Sequence, residues 1–150
     1  MIERRFRVPL VPVKLRLTLV FSVMATILYY SIVTPPGTDR VVYGPFELLF
    51  ISVWLHMLAY AGLTVTVVYA FVKSGRPNWQ IFLGVFLFVT IFGFGIEFLQ
   101  LSLPNRAFDV SDILVNAFGS VVALVVWTIA LRYIEFYHVG PPNAFRIRVR

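Results

Sequence analysis

The stretch Glu97-Phe-Leu-Gln100-Leu-Ser-Leu-Pro104-Asn-Arg106-Ala-Phe-Asp109-Val-Ser-Asp112-Ile-Leu-Val-Asn116 decides how this chain is read. It joins the end of one long apolar run to the start of the next. Within it lie three acids, an arginine and the amides Gln100 and Asn116, besides Asn105 of the link, where lipid-spanning segments should be apolar. An ionisable side chain at bilayer depth costs roughly 2.5–3.5 kcal/mol on insertion scales, so such residues are few there and usually functional. His56, in an earlier apolar run, is the other outlier of this kind.

The composition makes the bilayer the relevant solvent. Of the 150 residues, 59% are hydrophobic and 13% are charged, with a mean hydropathy of +0.85. Soluble domains carry about 25% charge, so an integral membrane protein is expected, with a chain length that suits one domain. The absence of cysteine excludes disulfides and thiolate metal sites. The net charge of +6 does not imply a nucleic-acid partner, because the basic residues flank apolar runs rather than sharing a soluble face.

A membrane-spanning helix needs about 20 mostly apolar residues. Four segments qualify, at about 15–33, 48–72, 79–103 and 113–131. Pro35-Pro36-Gly37, Gly75-Arg76-Pro77 and Pro104-Asn105 break the chain between them. The expectation is an all-α four-helix membrane domain over 15–134, flanked by a basic segment 1–14 and a basic tail 135–150. The first run is read as an uncleaved helix, since Ser31-Ile32-Val33-Thr34 offers no A-x-A-like cleavage site.

Basic residues predict the orientation. Arg4, Arg5, Arg7, Lys14 and Arg16 precede or open the first span, Lys73 and Arg76 lie between the second and third, and Arg132, Arg146, Arg148 and Arg150 close the chain. The other two loops hold only Arg40 and Arg106. Excess Lys and Arg marks the cytoplasmic side. Both termini are therefore expected in the cytoplasm of a multi-pass cell-membrane protein, with loops 34–47 and 104–112 facing outward. The tail reads as a flexible strip attracted to anionic lipid.

Helical spacing gathers the polar residues. Positions three or four apart share a face, which pairs Glu97 with Gln100, Asp112 with Asn116, and His56 with Tyr60. The short link between the third and fourth spans makes them antiparallel neighbours. At 1.5 Å per residue, Glu97 is expected roughly 8–10 Å, Asn116 about 5 Å and His56 roughly 12 Å inside the outward ends of their spans. Together they describe a pocket opening outward.

These residues resemble the signature of VanZ-like membrane proteins, E-x-x-Q followed by P-x-R-x-x-D-x-x-D-x-x-x-N-x-x-G, here Glu97 to Gly119. An upstream H-x-x-x-Y element is matched by His56-Met-Leu-Ala-Tyr60, and the resemblance covers about residues 48–125. The chain departs from the pattern at Ser52-Val53, where the family often has Asp-Lys, and at Ala123, where a second glycine is common. The resemblance implies a link to the cell envelope and to susceptibility to glycopeptide antibiotics of the teicoplanin type. It further implies, by distant similarity to phosphatidylserine synthases within a proposed Lipocone grouping, chemistry at lipid headgroups.

The residues themselves suit a phospholipid or polyprenyl-phosphate headgroup. Phosphoester transfer or hydrolysis needs charge neutralisation, an activated nucleophile and positioning. Arg106 can hold a phosphate with its planar fork, oriented by Asp109. His56 is the candidate general base, as histidine's ordinary pKa lies closest to neutral, with Glu97 and Asp112 as the other catalytic candidates. Gln100, Tyr60, Asn116 and Asp109 join Arg106 as substrate-binding candidates. Glu97, Asp112 and Asn116 offer oxygen ligands for Mg²⁺ or Ca²⁺.

Plainer roles exist for most of them. Arg106 with Asp109 or Asp112 makes an interfacial ion pair, Asp112 makes an N-cap, and Asn116, Gln100 and His56 make hydrogen bonds between helices. Two other functions stay open. One is a lipid- or glycopeptide-binding protein without chemistry, expected to tolerate His56→Gln. The other is a proton-coupled transporter using Glu97 and His56, which would require a homodimer. The acids crowd toward one face, which argues against transport.

Overall fold

The computed structural model of the chain describes residues 5–33, 43–103 and 108–138. Four helices dominate: α1 (Val13–Ile32), α2 (Ile51–Ala70), α3 (Asn78–Gln100) and α4 (Val110–Tyr133). Each is long and apolar enough to cross a membrane.

Local chemistry sets their ends. Pro12 and Pro77 immediately precede α1 and α3, where a fixed φ and a missing N–H do no harm. The chain before α2 turns tightly, with Phe46 at φ 62° and Glu47 at φ 54°, and the Gly44 amide donates to the Leu49 carbonyl at 2.8 Å. That turn delays the helix to Ile51, later than the expected Leu48. Conversely, Asp109 caps α4 by accepting from the Ser111 amide, so α4 starts at Val110 rather than Ile113. The cap is thus Asp109, and Asp112 lies in the first turn instead.

The bundle core is built from Val20 and Ile27 of α1, Tyr60, Leu63, Val67 and Val68 of α2, and Val85 and Val89 of α3. Around it, large apolar side chains face outward, among them Ile91 at 68% and Leu114 at 65% exposure. In water such a surface would aggregate. In a bilayer it is the ordinary lipid-facing surface, while the backbone satisfies its own hydrogen bonds within the helices.

The most extensive helix contact is between α2 and α4, which run parallel. Gly119 makes it possible, since a Cβ there would collide with the Met57 backbone carbonyl. Small residues allow this kind of backbone approach in membranes. Deeper in the same interface, the fully buried Thr64 hydroxyl donates to the Tyr60 carbonyl at 2.7 Å and shares a 2.9 Å hydrogen bond with Ser120.

The two flanks of the bundle pair with each other. β1 (Phe6–Leu10) and β2 (Ile134–His138) form a parallel two-stranded sheet in register Phe6↔Ile134 to Leu10↔His138. Parallel strands need a crossover connection, and here the whole bundle is that crossover. The start of α1 and the end of α4 therefore lie on the same side of the membrane. Phe136 stacks on Trp127 at 5.8 Å, and Tyr69 of α2 contacts β1 through its hydroxyl, which donates to the Pro9 carbonyl at 3.4 Å and accepts from the Val11 amide, just past the strand, at 3.2 Å. Arg16, buried to 4% exposure, donates through Nη1 to the Tyr69, Ala70 and Val72 carbonyls at 3.1, 2.9 and 3.2 Å. It thereby caps the C-terminus of α2, where a cation also suits the helix dipole.

Candidate functional site

At the end of the bundle opposite the strands, the first turns of α2 and α4 meet the last turns of α3. Two helix N-termini carry partial positive charge toward this end, which favours the acids that cluster there. From the observed helix ends, His56 lies about 8 Å, Glu97 about 5 Å and Asn116 about 9 Å inside the helical part of the bundle. His56 and Glu97 are therefore shallower, and Asn116 deeper, than the sequence suggested, because α2, α3 and α4 are bounded differently.

His56 is held from two sides. Its Nδ1 lies 3.2 Å from Asn116 Oδ1. An amide oxygen only accepts, so Nδ1 carries the proton and Nε2 is left facing Asp112. The distance from Nε2 to Asp112 Oδ2 is 3.9 Å, too long for a direct hydrogen bond and wide enough for a shared partner. Asp112 and His56 both keep part of their side chains accessible, at 31% and 23%.

Glu97 is fully buried, at 0% exposure. Its Oε2 accepts from the Asp109 amide at 3.4 Å, while Oε1 has no hydrogen-bond partner among the described residues. Asn116 is similarly half satisfied: Oδ1 faces His56, and Nδ2 is buried without a partner among the described residues. Buried polar atoms are normally paired; of these two, Glu97 Oε1 can ligate a cation, whereas the Asn116 Nδ2 amide can only donate, as to an oxygen of a bound group. One ligand atom each from His56, Glu97 and Asp112 lie within 4.8 Å of one another. This donor set fits a divalent cation. His56 enters it beside the two acids, whereas the sequence proposed Asn116 as the third ligand.

The remaining candidates fall around this centre. Tyr60, one turn below His56, is buried at 2% exposure and packs over Gly93, where an added Cβ would lie 2.9 Å from Tyr60 Cε1 and 3.3 Å from Asn116 Nδ2. Gln100 is buried but points elsewhere, donating from Nε2 to the Ser31 carbonyl at 2.9 Å and so tying α3 to α1. Asp109 is exposed and accepts at 2.7 Å from both the hydroxyl and the amide of Ser111. The Ser111 hydroxyl, and then its amide, hold the Asp109 carboxyl below the usual carboxylate range. Ser111 carries no spacing signal of its own, though a serine two residues after a capping acid is a common turn partner. Arg106 lies outside the described residues.

The fold and this cluster define a four-helix, multi-pass membrane protein with a polar His/Glu/Asp centre near one membrane face. The chain belongs to the VanZ/LLP1 family, whose family model matches residues 10–131. Neither the curated proteins nor the solved structures include a significant match to it.

Proposed function

We propose that this protein is an enzyme acting on phosphate-bearing lipid headgroups, of phospholipid or polyprenyl phosphate, by phosphoester transfer or hydrolysis. The reading places the reaction in a pocket on the extracytoplasmic side of the cell membrane, in keeping with the basic residues of the opposite loops. The observation that carries it is the meeting of His56, Glu97 and Asp112 within 4.8 Å at headgroup depth.

Each residue has a role in that chemistry. With a cation held by the carboxylates of Glu97 and Asp112 and not by the imidazole, Nε2 of His56 accepts the proton of the attacking hydroxyl or water as its oxygen bonds to phosphorus, and returns it to the departing oxygen. Asn116 holds the ring through Nδ1. Asp112 offsets the charge of the imidazolium. Glu97, anchored by the Asp109 amide, would offer Oε1 to a cation, since an uncompensated buried carboxylate is strongly disfavoured. Mg²⁺ or Ca²⁺ suits the carboxylates, and a bound cation would neutralise phosphate charge. Arg106, from its position in the motif, is assigned to the phosphate oxygens.

The test is reconstitution in vesicles of phosphatidylethanolamine and phosphatidylglycerol, with and without polyprenyl phosphate, followed by phosphorus NMR. A new phosphorus species formed by the wild-type chain and absent with His56→Ala supports the reading. No conversion of any of these lipids, with or without Mg²⁺ or Ca²⁺, counts against it.

A further inference from the structure

We infer that a second lipid site, for an anionic phospholipid, lies in the groove between α1, α2 and α3 at the strand end of the bundle. It is separate from the candidate active site: along the axis of α2, His56 and Phe71, the residue that caps the helix, are about 22 Å apart. Here α1 and α3 make few contacts, and the gap between them leaves a cavity of about 380 Å³. That falls within the range of about 300–1,000 Å³ typical of ligand sites. Its walls include Leu17, Phe21, Met24, Phe71, Ile81 and Phe88. They are apolar along their length, as an acyl chain requires.

The rim has the complementary chemistry. Arg76 and Gln80 stand at the cavity edge, with Lys73 in the same loop. Among the described residues, no ion pair engages Arg76. The described acid of this end is Glu135, which sits in register opposite Arg7 on the neighbouring strand. Trp79, 65% exposed at the start of α3, fits the interfacial position favoured by tryptophan. The arrangement therefore stacks a basic headgroup contact above an aliphatic slot. A second copy of the chain is a poorer occupant, because helix–helix interfaces in membranes favour small residues and this groove is lined by large ones. Gly84 and Ala70 are the exceptions. A Cβ at Gly84 would meet no described atom within 4 Å, so the wall at that point is open to an occupant.

Native mass spectrometry of the detergent-purified chain, offered phosphatidylglycerol and phosphatidylcholine in equal amounts, tests the site. Near a membrane surface one basic residue contributes about 1 kcal/mol toward anionic lipid, or about fivefold in affinity. The wild type should retain phosphatidylglycerol in preference to phosphatidylcholine, with one lipid of its bound count held in this groove. Arg76→Gln should reduce that preference about fivefold, and Gly84→Leu should lower the bound-lipid count by one at unchanged helix content. Leu17→Trp fills the slot from α1 and gives the same test should Gly84→Leu fail to insert. His56→Ala should leave lipid retention untouched, which separates this site from the proposed reaction. A preference that survives Arg76→Gln, or a bound-lipid count unchanged in both filled variants, overturns the inference. A wild-type dimer that the filling variants convert to monomer assigns the groove to a second copy and also overturns it.

Discussion

His56 on α2 and Asn116 on α4 face each other across 3.2 Å, Nδ1 to Oδ1. Sixty residues separate them in the chain. The contact exists because α2 and α4 run parallel and touch closely at Gly119. It fixes the tautomer of His56 and aims Nε2 at Asp112. Asn116→Leu keeps the volume and loses the acceptor. Loss of a partner that orients a functional histidine typically costs roughly 10–100-fold, and headgroup turnover should fall by that much while the protein stays inserted and helical.

Gly119 should tolerate almost nothing larger. The Met57 carbonyl occupies the space a methyl group would need, so Gly119→Ala forces α2 and α4 apart. Overpacking of this kind costs about 1–3 kcal/mol. Thermal unfolding in detergent should show a lowered midpoint. By contrast, Gly95→Ala, with nothing within 4 Å of the added Cβ, should be nearly neutral.

The cap on α4 should be acid-sensitive. Because Ser111 holds Asp109 below its ordinary carboxylate range, the folded state keeps this group charged to lower pH than the unfolded chain does. Its contribution is therefore fully present above the ordinary value of about 3.9. It is lost as pH falls through the lower folded value. Asp109→Asn retains an acceptor for the cap and should remove this part of the acid dependence, as read from unfolding midpoints across that pH range.

Orientation is open to a clean labelling test, because the chain contains no cysteine. Ser102→Cys, next to the candidate site, should react with a membrane-impermeant maleimide in intact cells. Ser74→Cys, between α2 and α3, should react only after permeabilisation. The reverse pattern would put the site on the cytoplasmic face.

Much of this architecture is written in local patterns. Four apolar runs mark four helices, and spacings of three and four put Asp112 with Asn116 and His56 with Tyr60 on common faces. Partner choice between distant elements has no such signature. Nothing local says that α2 packs most extensively on α4, and only Gly119 leaves a trace of it. The pairing of β1 with β2 is equally silent, since each strand is five residues long and the partner lies at the other end of the chain. Arg16 looked like an ordinary basic residue at a span edge. Its burial follows from where α2 happens to end, because the last carbonyls there gain a donor from it. The same dependence on tertiary contact explains Gln100, which shares the spacing of a site residue yet bonds to Ser31 of α1.

The most direct measurement is the rate of headgroup release or transfer from a labelled phospholipid in proteoliposomes, for the wild type, His56→Ala and Glu97→Gln, each checked for insertion and helix content. Loss of a general base typically costs about 10²–10⁴-fold. Turnover by the wild type that falls by that order in both variants, at unchanged fold, is the predicted result. Unchanged turnover in both variants would contradict a catalytic role for the His56–Glu97–Asp112 cluster.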